Sequence, residues 1–82
     1  MDKDKVIDLI FKELEKAQKN HPDWPLDAIH AAAIIEEESG ELLRAAIDFN
    51  YHNGKLKNMK NEAVQTAAMA IRFLINSDIF LI

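Results

Sequence analysis

Cysteine is absent from the 82-residue chain. Disulfides and thiolate metal sites are therefore excluded. The same absence suits a reducing compartment, and a cytoplasmic location is expected. Glycine and proline occur only twice each, too few for a chain rich in hairpins or linkers. Basic residues are outnumbered, with 10 Lys and Arg against 14 Asp and Glu, giving a net charge of -4. No cluster of them interleaves with aromatics, so the electrostatic footprint for binding a nucleic-acid polymer is missing. A single nucleotide could still bind if metal ions mediated the contact. No segment approaches the roughly 18 apolar residues that would span a membrane. The first five residues, Met1-Asp2-Lys3-Asp4-Lys5, mix both charges and do not read as a signal peptide.

What is present is apolar material. It makes up 49% of the residues, ample for the core of one domain covering residues 1–82. A domain this small buries a limited fraction of its surface and gains from a staple or a partner. Val6, Ile7, Ile10, Phe11, Leu14 and Ala17 follow helical spacing and predict a helix from about Asp2 to Lys19. Asn20-His21-Pro22-Asp23-Trp24-Pro25 is a connection, because each proline disfavours helix at the residue before it. A second helix is expected from near Leu26 to about Asn50, with Pro25 in its first turn. Ala28, Ala32, Ile35, Leu42, Ala46 and Phe49 form one stripe along it. Asn53-Gly54 favours left-handed backbone angles and marks a turn. A third helix is expected over roughly Lys57 to Asn76. It is apolar almost all round, which places it centrally or between subunits. The tail, Asp78 to Ile82, is expected to pack as a last turn on a neighbour. The fold class is thus all-α, a small antiparallel helical bundle completed by oligomerisation.

One feature does not suit a plain bundle. The run Glu36-Glu37-Glu38-Ser39-Gly40-Glu41 interrupts the second helix, and Glu38 falls at the margin of its apolar stripe. Gly40 sits inside the helix at a cost of about 1 kcal/mol relative to Ala, which close approach of another helix or a ligand would justify. Glu38 and Glu41 are spaced i, i+3, so their side chains lie side by side. Two unpaired carboxylates so placed repel and raise one pKa, and a hard cation relieves this. Glu62 and Gln65 repeat the spacing on the third helix, with Met69 and Arg72 on the same flank. Simpler readings exist for each residue. Glu41 could pair with Arg44, a contact worth a few tenths of a kcal/mol. His30 suits a half-buried helix position, Trp24 a plug over a helix end, Met69 the core, and Arg72 an ion pair with a carboxylate.

Glu37-Glu38-Ser39-Gly40-Glu41-Leu42 resembles the Glu-Glu-x-Gly-Glu-Leu helix of the MazG-like, all-α nucleoside triphosphate pyrophosphatases. Their wider pattern is Glu-x-x-Glu followed, after a gap, by Glu-x-x-Asp. Here Glu38-x-x-Glu41 is followed by Glu62-x-x-Gln65. Trp24-Pro25-Leu26, His30, Ile34 and the stretch Glu62 to Leu74 are also similar to compact members, so the likeness covers about Trp24 to Leu74. The resemblance implies a homodimer or homotetramer. It implies Mg²⁺ held by Glu38, Glu41, Glu62 and position 65, with Glu38 or Glu41 as the catalytic carboxylate. It also implies hydrolysis of a nucleoside triphosphate to a monophosphate and pyrophosphate, with Trp24 or His30 near the base. Lys57 and Arg72, with Lys55 and Lys60 nearby, are the basic candidates for the phosphates. Gln65 departs from the pattern, because a neutral amide stands where the family usually has Asp. A catalytically degenerate dimerisation or nucleotide-binding module is the alternative this implies.

Overall fold

The structure is a computed structural model that describes residues 1–81. Three α-helices account for most of them: α1 (Lys3–Asn20), α2 (Ala28–Tyr51) and α3 (Leu56–Ile75). A short 3₁₀ turn (Ser77–Leu81) follows. Among the described residues there is no strand, as the periodicity predicts. No helix is long and apolar enough to cross a membrane.

The first two helix starts have a local cause. The Asp2 side chain accepts from the Lys5 backbone N–H at 2.9 Å and caps α1. Asp27 does the same for α2 through the His30 N–H at 3.2 Å. The second helix therefore starts two residues later than expected, and Pro25 lies outside its first turn. An aspartate that satisfies an orphan N–H of the first turn sets the boundary more firmly than a proline that merely tolerates it. At the other end of α2, Asn53 takes the left-handed angle, with φ 59°. Gly54 is needed for a different reason. A Cβ there would lie 2.8 Å from the backbone carbon of Asp48, whose carbonyl accepts from both His52 and Gly54.

Helix α3 is central and packs against both α1 and α2. One cavity takes Ile34 and Glu38 from α2 and Gln65, Met69 and Arg72 from α3. The interior is small: Leu14, Ala31 and Ala68 are the buried apolar residues, joined by Arg72. The inner face of α2 is rotated from the expected stripe. Of the expected stripe, Ile35, Leu42 and Ala46 are half-buried and Ala28, Ala32 and Phe49 are exposed, while Ala31, Ile34, Glu38 and Ala45 on its flank are buried or half-buried. Apolar residues occur on both sides of α2, so its periodicity alone could not choose the side that meets α3. Glu38 consequently sits in the middle of the inner face and not at its edge.

The tail folds back within the chain. Phe80 packs on Phe73 with ring centroids 5.5 Å apart. Ile82, the last residue of the expected tail turn, lies outside the described residues.

Candidate metal centre

Helices α2 and α3 bring Glu38, Glu41 and Glu62 together, with one carboxylate oxygen of each within 4.8 Å of the others. Glu38 and Glu62 are half-buried and Glu41 is exposed. The contact between α2 and α3 explains why the Glu38–Glu41 pair of α2 meets Glu62 of α3. One oxygen of Glu38 and one of Glu62 are buried without a hydrogen-bond donor. Arg44 forms no ion pair with Glu41. Among the described residues the one ion pair is Lys12–Asp8, at 3.0 Å on the surface of α1.

The electrostatics follow from this placement. The Glu38 carboxyl is pushed above the ordinary value of 4.5, chiefly by burial and then by the charges of Glu41, Glu62, Glu37 and Glu13. Glu62 is pushed up by burial, by a side-chain hydrogen bond with Glu41, and by the charge of Glu41. Unpartnered acceptors facing one another in a half-buried seam are destabilising unless a proton or cation lies between them. The donor set is all carboxylate oxygen, which suits a hard divalent cation such as Mg²⁺. The orphaned oxygens of Glu38 and Glu62 fit that role.

Beside the carboxylates is a cavity of about 280 Å³. Trp24, Glu38, Gln65, Met69 and Arg72 all line it, so five residues singled out from the sequence share one space. Trp24 offers a buried indole N–H with no acceptor. Arg72 is not a free clamp. It is 4% exposed, and its guanidinium donates to the carbonyls of His21 at 2.5 Å, Asp23 at 3.4 Å and Ala17 at 3.5 Å. It also lies 4.9 Å from the centre of the Trp24 ring. Its partners are thus carbonyls at the end of α1, where the helix dipole favours a cation, and not the carboxylate that the sequence suggests.

Two sequence candidates lie elsewhere. His30 is exposed in the first turn of α2 and is not among the residues lining the cavity. Lys57 lines a separate, larger groove between α1 and α3, of about 910 Å³, together with Lys12, Lys16 and Lys60. Glu13 and Gln65 border both spaces. Glu13, His21 and Asp23 line the cavity without having been singled out. Glu13 was detectable: it lies three residues from Ile10 and four from Ala17, on the apolar stripe of α1, as Glu38 does on α2. His21 and Asp23 sit in the irregular connection, where no periodicity places a side chain. Neither a family model, nor a curated protein, nor a solved structure matches the chain.

Proposed function

We propose that this protein is a Mg²⁺-dependent nucleoside triphosphate pyrophosphohydrolase of the MazG-like kind, working as a homodimer or homotetramer. The observation that carries the proposal is the meeting of Glu38, Glu41 and Glu62 within 4.8 Å, with two orphaned oxygens, where Glu38 also lines a cavity shared with Trp24. Mg²⁺ would be held by the three glutamates, with the Gln65 carbonyl oxygen as a neutral fourth donor. Bound there, the cation would neutralise phosphate charge and acidify the attacking water.

The chain's own groups supply the rest. Water attacks the α-phosphorus, a new P–O bond forms, and the bond from that phosphorus to the α–β bridging oxygen breaks. The products are the monophosphate and pyrophosphate. The proton of the water passes to a carboxylate, Glu41 or Glu38. The raised pKa of Glu38 brings it closer to the neutral range in which such a base works best. Trp24 lines the cavity and has an indole N–H without an acceptor, an aromatic with a polar handle of the kind suited to a nucleobase.

Two measurements test this reading. Mg²⁺ at a hundredfold excess over its Kd is expected to stabilise the protein by about 2.7 kcal/mol. For a domain of this size that raises Tm by more than about 10 °C. A panel of triphosphates with Mg²⁺ is expected to release pyrophosphate, and release from none of them would remove the enzymatic claim.

Gln65 favours a second reading, a non-catalytic nucleotide-binding module with the same architecture. The variant Gln65→Asp separates the two. It adds a negative donor and is expected to tighten Mg²⁺ binding several-fold in either case, since each added charge strengthens a hard-cation site. Activity that appears only in Gln65→Asp assigns the natural chain to the non-catalytic reading.

A further inference from the structure

The groove between α1 and α3, of about 910 Å³, is larger than the cavity beside the carboxylates. Apart from Glu13 and Gln65 at their shared border, it lies outside the proposed chemistry. Val6 and Leu9 of α1 and Leu56 and Val64 of α3 give it an apolar lining, and Leu9 and Leu56 remain exposed. Four lysines share that lining, Lys12 and Lys16 on α1 and Lys57 and Lys60 on α3. They are four of the 10 basic residues in a chain with a net charge of -4. Glu13 is the one acidic side chain set against them in the groove, among the described residues. Lys12 pairs with Asp8 at 3.0 Å, but Lys16, Lys57 and Lys60 have no ion pair among the described residues. An apolar strip edged with unpaired positive charge is complementary to a partner that is apolar and acidic at once.

We propose that this groove docks an amphipathic α-helix of a partner protein, one whose apolar stripe is flanked by Asp and Glu. The shape selects a helix. At a rise of about 1.5 Å per residue, Val6 to Lys16 spans about 15 Å of α1 and Leu56 to Gln65 about 14 Å of α3. Two helical walls of that length suit about three turns of another helix, its ridges seated in their grooves. An extended peptide would need a sheet edge for its backbone, and there is no strand among the described residues. A nucleic-acid strand would need rings to stack on, and no aromatic side chain lines the groove among the described residues. A small ligand would be poorly enclosed, because Leu9 and Leu56 stay open to solvent. Charge selects the flanks. Leu, Ile or Val on the occupant would cover the apolar strip and supply affinity. Its carboxylates would meet lysines on both walls, which fixes its register and speeds its arrival.

The test needs neither Mg²⁺ nor nucleotide, so it stands apart from the cation site. Its probes are fluorescein-labelled peptides of about fourteen residues with Leu at i, i+3, i+4 and i+7. One carries Glu on the flanks of the stripe and one carries Lys. A third keeps the composition of the Glu peptide with its leucines scrambled. Anisotropy with the full chain is expected to give the Glu peptide a Kd of about 100 µM or tighter. The Lys and scrambled peptides are expected to bind at least about tenfold more weakly. Lys57→Glu with Lys60→Glu is expected to weaken the Glu peptide about tenfold and to admit the Lys peptide. Lys16→Glu, on the other wall, replaces that variant if it fails to fold. Lys19→Glu, at an exposed lysine outside the groove, is expected to change nothing. The proposal is overturned if the Glu peptide does not bind, including where light scattering shows that a second copy fills the groove. Equal binding of the Lys or scrambled peptide overturns it too, as does binding that folded groove variants leave intact. Phosphatidylglycerol vesicles that bind the chain when the Glu peptide does not would assign the lysines to a lipid surface instead.

Discussion

Replacing Arg72 with alanine is expected to cost about 3 kcal/mol of stability, the scale of losing a buried charged donor together with its partners. Domains of this size have roughly 4–12 kcal/mol in all, so Tm should fall by more than 10 °C. The reason lies in what the guanidinium holds. It reaches across from α3 to three backbone carbonyls at the end of α1 and in the following connection. It also supports Trp24 from one side. With Leu14, Ala31 and Ala68 the other buried residues among those described, this one side chain fixes how α1 and the Asn20–Asp27 segment sit on α3. Arg72→Lys keeps the charge but lacks the planar fork that serves several acceptors at once, and it is expected to recover less than half of the loss. Thermal melts of the two variants check this. A loss in Arg72→Ala of under about 1 kcal/mol, the range of ordinary surface substitutions, would show that the carbonyls are satisfied by water instead.

Replacing Glu38 with glutamine is expected to act in opposite directions on two properties. It should abolish Mg²⁺-dependent activity and the Mg²⁺ shift in Tm, because it removes a charged donor from the centre of the cluster. In the absence of divalent cation it should raise Tm at neutral pH by several degrees, or about 1 kcal/mol at this chain length. The sign comes from the raised pKa values of Glu38 and Glu62. Above the ordinary value of 4.5 the folded chain retains protons that the unfolded chain has released. Stability therefore falls as pH rises from there through the raised values. Cation-free wild type should be more stable near about pH 5 than at pH 7, the reverse of a protein held by salt-bridged carboxylates. Mg²⁺ should cancel the difference, since it takes the place of the proton. Melts at both pH values, with Mg²⁺ and with chelator, separate these effects. A Glu38→Gln protein that melts lower than wild type and still responds to Mg²⁺ would place the cation elsewhere.

The carboxylate cluster was legible in the sequence because i, i+3 spacing on a helix has one geometric meaning. Glu38 beside Glu41, and Glu62 one turn before position 65, needed only the assumption that two helices joined by Asn53-Gly54 pass each other. The role of Arg72 was not legible. A basic residue on an apolar helix reads as an ion pair, and its actual partners are backbone carbonyls 49 to 55 residues away in the chain. Side-chain identities do not encode carbonyl positions in a connection that has no periodicity.

The same division holds for the chain as a whole. The absence of cysteine, the scarcity of glycine and proline, and the 3.6-residue repeat of apolar side chains are enough for an all-helical chain with breaks near residues 20–25 and 51–54. These are local properties, set by backbone sterics and by caps such as Asp2 and Asp27. Which face of α2 turns inward was settled only when α3 packed against it. Both faces are apolar enough to be buried, and the choice depends on which one the neighbouring helix covers. That choice moved Glu38 from the margin of the stripe to its centre and left Ile29, Leu43 and Ile47 facing outward. It also set a carboxylate among its own kind in a half-buried seam, where burial and like charge together raise its pKa.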